Sequence, residues 1–492
     1  MPHRMSLALA ALTTALAIAA PGATAAPVAG HFCLVLDTPS SIANISQTAR
    51  RNSYVVLQPW EVQQATQLKA ANPELSVLVY QNLSAVASTT GPGGLTSTGV
   101  SYAEAIAQSP EWVLRDTAGA RVAESGYPWL WMADIGNTGY QRQWTANVLR
   151  LLDTGPWDGV FLDGVNATAK YDAGARKLVD YPTDAAYEKA MRSMLAYAGP
   201  QITGAGKLAI ANMGSWNEFP AVVAEWLPYV SGAMDEQFVK WSATSSNAYS
   251  GPSSWQAQIE AIEATERMGK QFLAVIQTNP SNAQALRYGW ASALMGANGG
   301  HTSFFAANAY DGDTWSDEYE VPLGEPLAAA YPIGDGAWER RFEDGLVLVN
   351  PSSTSVKVTF GGSYSGSGLA DASGSTLASH TALILTPAAP VSAGVPPTPL
   401  VPEATYDPVG ETTAATAAPA EASAAGPATD EGGSPATSPQ STTASKQHLR
   451  SFKQHRPPTH CPSSRRARRS SRCRRSSHGK HDRHDSPHHA AK

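Results

Sequence analysis

The sequence predicts an α/β fold: a (β/α)8 TIM barrel, then a small antiparallel β-domain and a disordered C-terminal tail. Three observations carry this. Short apolar runs alternate with helical stretches between about residues 30 and 332. Antiparallel-looking strands and turns replace that alternation over 333–387. Beyond 388 the apolar residues needed for a core run out.

Eight runs read as strands: 54–57, 76–80, 129–132, 159–162, 207–210, 232–234, 272–276 and 302–305. Continuous apolar runs of this length suit parallel strands buried on both faces. Helical patterns lie between them at 61–71, 140–152, 183–197, 254–268 and 282–295. Thr183 is placed to cap the third, with Asp184 at its positive end. Eight strand–helix units match a closed barrel. An open doubly wound sheet is the rival, but no glycine-rich dinucleotide fingerprint follows an early strand. Residues 32–36 form a ninth candidate, either a cap on the barrel's bottom or its true first strand. In the small β-domain, 338–350, 355–360 and 381–385 read as strands, and 361–368 as turn-rich.

The ends of the chain differ from its body. Residues 1–25 read as a secretory signal: a basic start, an apolar run over 7–20, and the small-x-small site Ala23-Thr24-Ala25. This predicts a secreted or envelope-associated protein, with no membrane-spanning segment once the signal is removed. Residues 388–445, rich in Ala, Pro, Thr, Ser and Gly, hold six acidic residues and no basic one. They read as a disordered linker. From Lys446 onward there are 14 Lys and Arg against 2 Asp and Glu, and eight of the twelve histidines. The rest of the chain holds 21 basic and 39 acidic residues. The formal net charge of −6 therefore describes neither part. The basic tail suits an anionic envelope polymer, and in an exported chain nucleic acid is not the expected partner. Cys33, Cys461 and Cys473 are an odd count and give no disulfide framework.

The chemistry concentrates in two segments. Gly159-Val160-Phe161-Leu162-Asp163-Gly164-Val165 ends an apolar strand in a carboxylate followed by glycine. Gly232-Ala233-Met234-Asp235-Glu236-Gln237 repeats that placement two strands later. In a TIM barrel the C-terminal strand ends carry catalytic groups. Glycosidic hydrolysis needs two carboxyls flanking one bond. One protonates the leaving oxygen, and the other attacks the anomeric carbon or activates water. Asp163 is assigned as nucleophile and Glu236 as general acid/base, facing each other across the barrel mouth. Asp235 is the rival acid, because neighbours at a strand end point oppositely. A lone Asp after a strand is also a common helix N-cap. Further polar groups share the strand-end layer: Gln58, Tyr80, Asn82, Asp134, Asn212, Gln277 and Asn308. With Trp60, Trp216 and Trp241 near the same rim, they are the candidate sugar-binding residues.

These residues resemble the bacterial barrels called the hypothetical glycosyl hydrolase 15 family. The matching stretches are Val55-Val56-Leu57-Gln58-Pro59-Trp60-Glu61, the Asp163 segment, and the run from Trp338 through Val349-Asn350-Pro351. The resemblance spans about 30–387. It implies a glycoside hydrolase, which with the signal reads as a secreted enzyme acting on an oligo- or polysaccharide, and it leaves the sugar open. More distantly, the chain looks like polygalactosaminidase-type and α-galactosidase-type barrels. Those imply a retaining mechanism, with the nucleophile at Asp163 and an acid on strand six. The second reading is a non-catalytic carbohydrate-binding barrel of the cell envelope. No metal or cofactor is expected: the body shows no zinc-ligand spacing, and Asp311-Gly312-Asp313 lacks the rest of a calcium loop. His301 reads as a hydrogen-bonding residue.

Overall fold

The computed structural model describes residues 28–388 except 38–41, 215, 308 and 313. The signal, linker and basic tail expected above lie outside the described residues, apart from the linker's first residue, Ala388.

Eight strands close into a parallel barrel. They are β1 (Gly30–Val35), β2 (Tyr54–Leu57), β3 (Ser76–Asn82), β7 (Gly159–Asp163), β8 (Leu208–Asn212), β9 (Gly232–Asp235), β10 (Gln271–Gln277) and β11 (Thr302–Ala307). Pairing runs in chain order, and β1 closes the ring against β11. Val55, Val56, Leu57, Val77, Leu78, Val79, Val160 and Leu162 are all fully buried. A ring of strands sealed inside and out favours such β-branched and aliphatic runs.

Residues 32–35 fall in the true first strand, which ends one residue before Leu36, and 129–132 are not in the barrel. The latter belong to β6 (Tyr127–Met132), which pairs antiparallel with β4 (Ala85–Ala87) and β5 (Ala123–Glu124) in a small separate sheet. Most of β6 is only half-buried, as an outlying strand can be and a barrel strand cannot. The two exchanges cancel, so Asp163 still ends the fourth barrel strand and Glu236 still follows the sixth.

The helices start where the sequence supplies caps. Asn137 Oδ1 accepts from Gly139 N–H at the head of Thr138–Leu152. Thr183 caps Asp184–Gly204 by accepting from Ala186 N–H at 3.2 Å. Asn282 caps Ala283–Gly296. The Asp184 helix outruns its expected end because Pro200 is accommodated within it. Among the described residues no helix is long and apolar enough to cross a membrane.

After the barrel come β12 (Tyr331–Ile333), β13 (Ala337–Arg341), β14 (Leu346–Asn350), β15 (Val356–Gly366), β16 (Leu369–Leu377) and β17 (Thr381–Pro387). They form one six-stranded sheet, and the pairings described within it are antiparallel. The stretch 361–366, expected as turn, continues β15 with register shifts after Thr359 and Tyr364. Arg340 ties this sheet to the barrel. Its buried guanidinium donates to Leu294 O (2.6 Å), Ala297 O (2.7 Å) and Ala328 O (3.1 Å). The first two are carbonyls at the end of the last barrel helix, which lack partners of their own. Arg340→Met keeps the apolar stem and strands those acceptors. It is expected to lower unfolding stability by about 3 kcal/mol, read by denaturant titration. A loss below about 0.5 kcal/mol would show that water replaces the guanidinium.

Candidate active site

The site lies at the C-terminal ends of β7, β8 and β9, and strand parity selects its residues. Asp163 faces Asn82 in the register, Leu162 faces Ala211, and Asn212 faces Met234. Paired residues in a parallel sheet point the same way, and the side-chain period is two. Tyr80, Asp163, Asn212 and Glu236 therefore share a face, while Asp235 takes the opposite one. Asp235 is 1% exposed, and its Oδ1 accepts from Gln237 N–H at 3.0 Å. Burial pushes its carboxyl up to about 7.

One amide joins the two carboxylates. Asn212 Nδ2 donates to Asp163 Oδ1 at 3.0 Å and to Glu236 Oε2 at 3.0 Å. Its own oxygen accepts from Gly214 N–H at 3.2 Å, which fixes which way the amide faces. Because both contacts share one nitrogen, the two oxygens are no farther apart than twice 3.0 Å. The carboxyls are thus neighbours on one arc, separated by a single strand, rather than opposed across the mouth as the sequence suggested. Their other oxygens are also held. Tyr80 donates its hydroxyl to Asp163 Oδ2. Tyr310 donates to Glu236 Oε1 at 2.5 Å. Gln277 Nε2 donates to Tyr310 Oη at 3.1 Å and to the Glu236 carbonyl at 3.0 Å, so it positions both.

Burial raises the Asp163 pKa above the usual aspartate range, and the charge of Glu236 adds to it. The bonds from Tyr80, Asn212 and the Gly164 backbone act against that rise. Gly164 is required here. Its φ is +74°, and a Cβ would come within 2.4 Å of Ser84 Oγ and 2.9 Å of Asn82 Oδ1.

Other expected site residues are placed differently. Gln58 is buried and spends its amide on Leu36 O at 3.1 Å. Asn82 accepts from Ser84 N–H at 3.0 Å and shapes the turn after β3. Asp134 follows β6 instead of a barrel strand, and it accepts from the Tyr181 hydroxyl. Trp216 is 5% exposed, donates to Met234 O at 3.3 Å and packs edge-on against Phe272, so it is a core residue. Trp60 is half-buried, in the loop after β2. Trp241 is 38% exposed, and its backbone bridges to Gln277 at the end of β10. The preceding Val239 has φ +43°, a strained conformation for a β-branched residue that turns the chain toward this bridge. Asn308 lies outside the described residues. His301 pairs through Nδ1 with the Gln271 amide at 2.8 Å.

Three residues were missed. Tyr310 follows β11 in an irregular loop. Glu124, at the end of β5, and Asp172, in the short helix Lys170–Ala173 after β7, both feel the charge of Asp163. Only their nearness in the fold marks them. Among the described residues no group of three His, Cys, Asp or Glu is placed to hold a metal ion. A cavity of about 430 Å³ opens at the opposite end of the barrel, lined by residues including His31, Arg51, Asn72 and Trp315. Neither carboxylate lines it.

The model of the hypothetical glycosyl hydrolase family 15 matches residues 69–346, more than half of the chain. The chain belongs to this family. The match includes β7, β8 and β9, and so Asp163, Asn212 and Glu236. Of the stretches that suggested the family, the one around Trp60 lies before the match, and the one from Trp338 runs past its end. No curated protein matches the chain. Among solved structures, the glycoside hydrolase domain of PelA from Pseudomonas aeruginosa is 14% identical, with 57% of this chain and 96% of that one covered and a TM-score of 0.39. Ega3 from Aspergillus fumigatus, solved with galactosamine, is 11% identical, covering 60% and 97%, with a TM-score of 0.37. The maltogenic α-amylase AmyB from Thermotoga neapolitana is 10% identical, covering 73% and 98%, with a TM-score of 0.43.

Proposed function

We propose that this family member is an exported glycoside hydrolase that cleaves an O-glycosidic bond of an oligo- or polysaccharide with net retention. The observation that carries the reading is the shared Asn212 amide, which holds Asp163 Oδ1 and Glu236 Oε2 within twice 3.0 Å of each other. Retaining enzymes separate their carboxyls by about 5–5.5 Å, and inverting ones by about 6.5–9.5 Å to admit a water. The bound found here supports the shorter class. Asp163 attacks the anomeric carbon while Glu236 protonates the leaving oxygen. Glu236 then takes a proton from the water that releases the glycosyl–Asp163 ester. Membership in a glycosyl hydrolase family supports a sugar as substrate. Export rests on the N-terminal signal pattern, and contact of the basic tail with an anionic envelope polymer rests on its charge.

The test is a screen of the mature chain against purified bacterial polysaccharides, read by mass spectrometry. New reducing ends are expected on at least one polymer. Retained sugar affinity with no turnover across the panel would favour the alternative, a carbohydrate-binding barrel.

A further inference from the structure

The two carboxyl oxygens of Glu236 are held unequally. Tyr310 donates to Oε1 at 2.5 Å, and Asn212 Nδ2 donates to Oε2 at 3.0 Å. Tyr310 is 8% exposed, and its backbone is stitched to the end of β1. Leu36 N–H donates to Tyr310 O at 2.7 Å, and Val35 bridges to Asp311.

The direction of the Tyr310 proton is set from behind. Gln277 Nε2 carries two hydrogens. One goes to the Glu236 carbonyl at 3.0 Å and the other to Tyr310 Oη at 3.1 Å. Turning the amide over would set its oxygen against the Glu236 carbonyl, so Tyr310 Oη always meets a donor on that side. Gln277 keeps this orientation although its Oε1 is buried without a hydrogen-bond partner among the described residues. A bare buried oxygen is a cost that needs a reason. Burial and the charge of Glu236 hold the Tyr310 pKa well above its ordinary value, so the hydroxyl keeps its proton. That proton points to Glu236 Oε1.

A protonated carboxyl has one good acceptor, its carbonyl oxygen, and its hydroxyl oxygen accepts poorly. A short bond from a locked hydroxyl claims the carbonyl role for Oε1, more strongly than the 3.0 Å amide bond claims it for Oε2. The transferable proton is left on Oε2, whose other lone pair still accepts from Asn212. Oε2 is also the oxygen within twice 3.0 Å of Asp163 Oδ1. We propose that Tyr310, locked by Gln277, is a positioning residue that holds the acidic proton of Glu236 on Oε2, the nucleophile's side, and so aims it at the leaving oxygen. This rests on the reading that Glu236 is the proton donor. As the glycosidic C–O bond breaks, its electron pair stays on the leaving oxygen, which takes the proton from Oε2. The carboxylate that remains keeps both Tyr310 and Asn212 as donors.

The experiment compares the mature chain with Tyr310→Phe on phenyl and dinitrophenyl glycosides of the sugar found by the polysaccharide screen. Phenol leaves only with a proton, and dinitrophenolate leaves without one. Tyr310→Phe is expected to lower kcat/KM by about 10–100-fold on the phenyl glycoside. On the dinitrophenyl glycoside the loss is expected to be about threefold or less. A ring that merely supported the fold would slow both alike. Gln277→Met leaves the hydroxyl in place but free to turn. It is expected to show the same pattern with a smaller loss, and it decides the matter should Tyr310→Phe fail to fold. The inference is overturned if every folded variant slows both glycosides alike, or slows neither. A parent chain that cleaves no glycoside or polymer sinks the proposed function and this inference with it. An active parent whose variants lose activity evenly sinks this inference alone.

Discussion

Asp163→Asn is expected to lower kcat on a cleaved polysaccharide by about 10⁴-fold, with little change in fold. The amide fills the same volume and keeps one oxygen for the Tyr80 hydroxyl or the Asn212 amide. It is a poor nucleophile, and it carries no charge to oppose the positive charge that grows on the sugar ring. Groups that act on one bond are not additive, so the double variant Asp163→Asn/Glu236→Gln should be little worse than the weaker single one. Steady-state kinetics with a thermal-melt control measures this. Activity within about tenfold of the parent would remove Asp163 from the chemistry.

Glu236→Gln is expected to cost roughly 10²–10⁴-fold on natural glycosides. It should cost far less on substrates with a good aryl leaving group, which departs without a proton. The variant also makes a pH prediction. The charge of Glu236 is one cause of the raised Asp163 pKa, after burial. Asp163 must be ionised to attack, so the rate falls as pH drops through its folded pKa. Removing the neighbouring charge lowers that pKa. The acidic limb of the pH–rate profile should therefore move to lower pH in Glu236→Gln, measured with an activated substrate. A limb that stays in place, or moves up, would mean that another group governs it.

The fold was largely readable because a barrel strand has no exposed face. Runs such as 54–57, 76–80 and 272–276 are apolar throughout and stand out from amphipathic helices. The pattern failed at 129–132, where aromatic rings gave an apolar run to a half-buried strand outside the ring, and at 361–366, where glycines disguised a strand. In the site, the strand-end rule found Asp163, Asn212, Tyr80 and Gln277, whose directions follow from parity. It also picked out Gln58 and Asn82, since position at a strand end says nothing about whether a backbone group will take the side chain first. Trp216 shows the same limit: its ring turns inward onto Phe272. Tyr310 was invisible because the irregular stretch after β11 has no period, and only the closed barrel brings its hydroxyl to Glu236.

The account turns on which atom the sugar bonds to during turnover. A fluorinated glycosyl fluoride of the cleaved sugar, which slows release of the intermediate, allows the labelled protein to be digested and mapped by mass spectrometry. The expected result is one glycosyl adduct per chain, on the peptide carrying Asp163, discharged by an acceptor sugar. An adduct on Glu236, or no adduct together with an inverted first product, would contradict it.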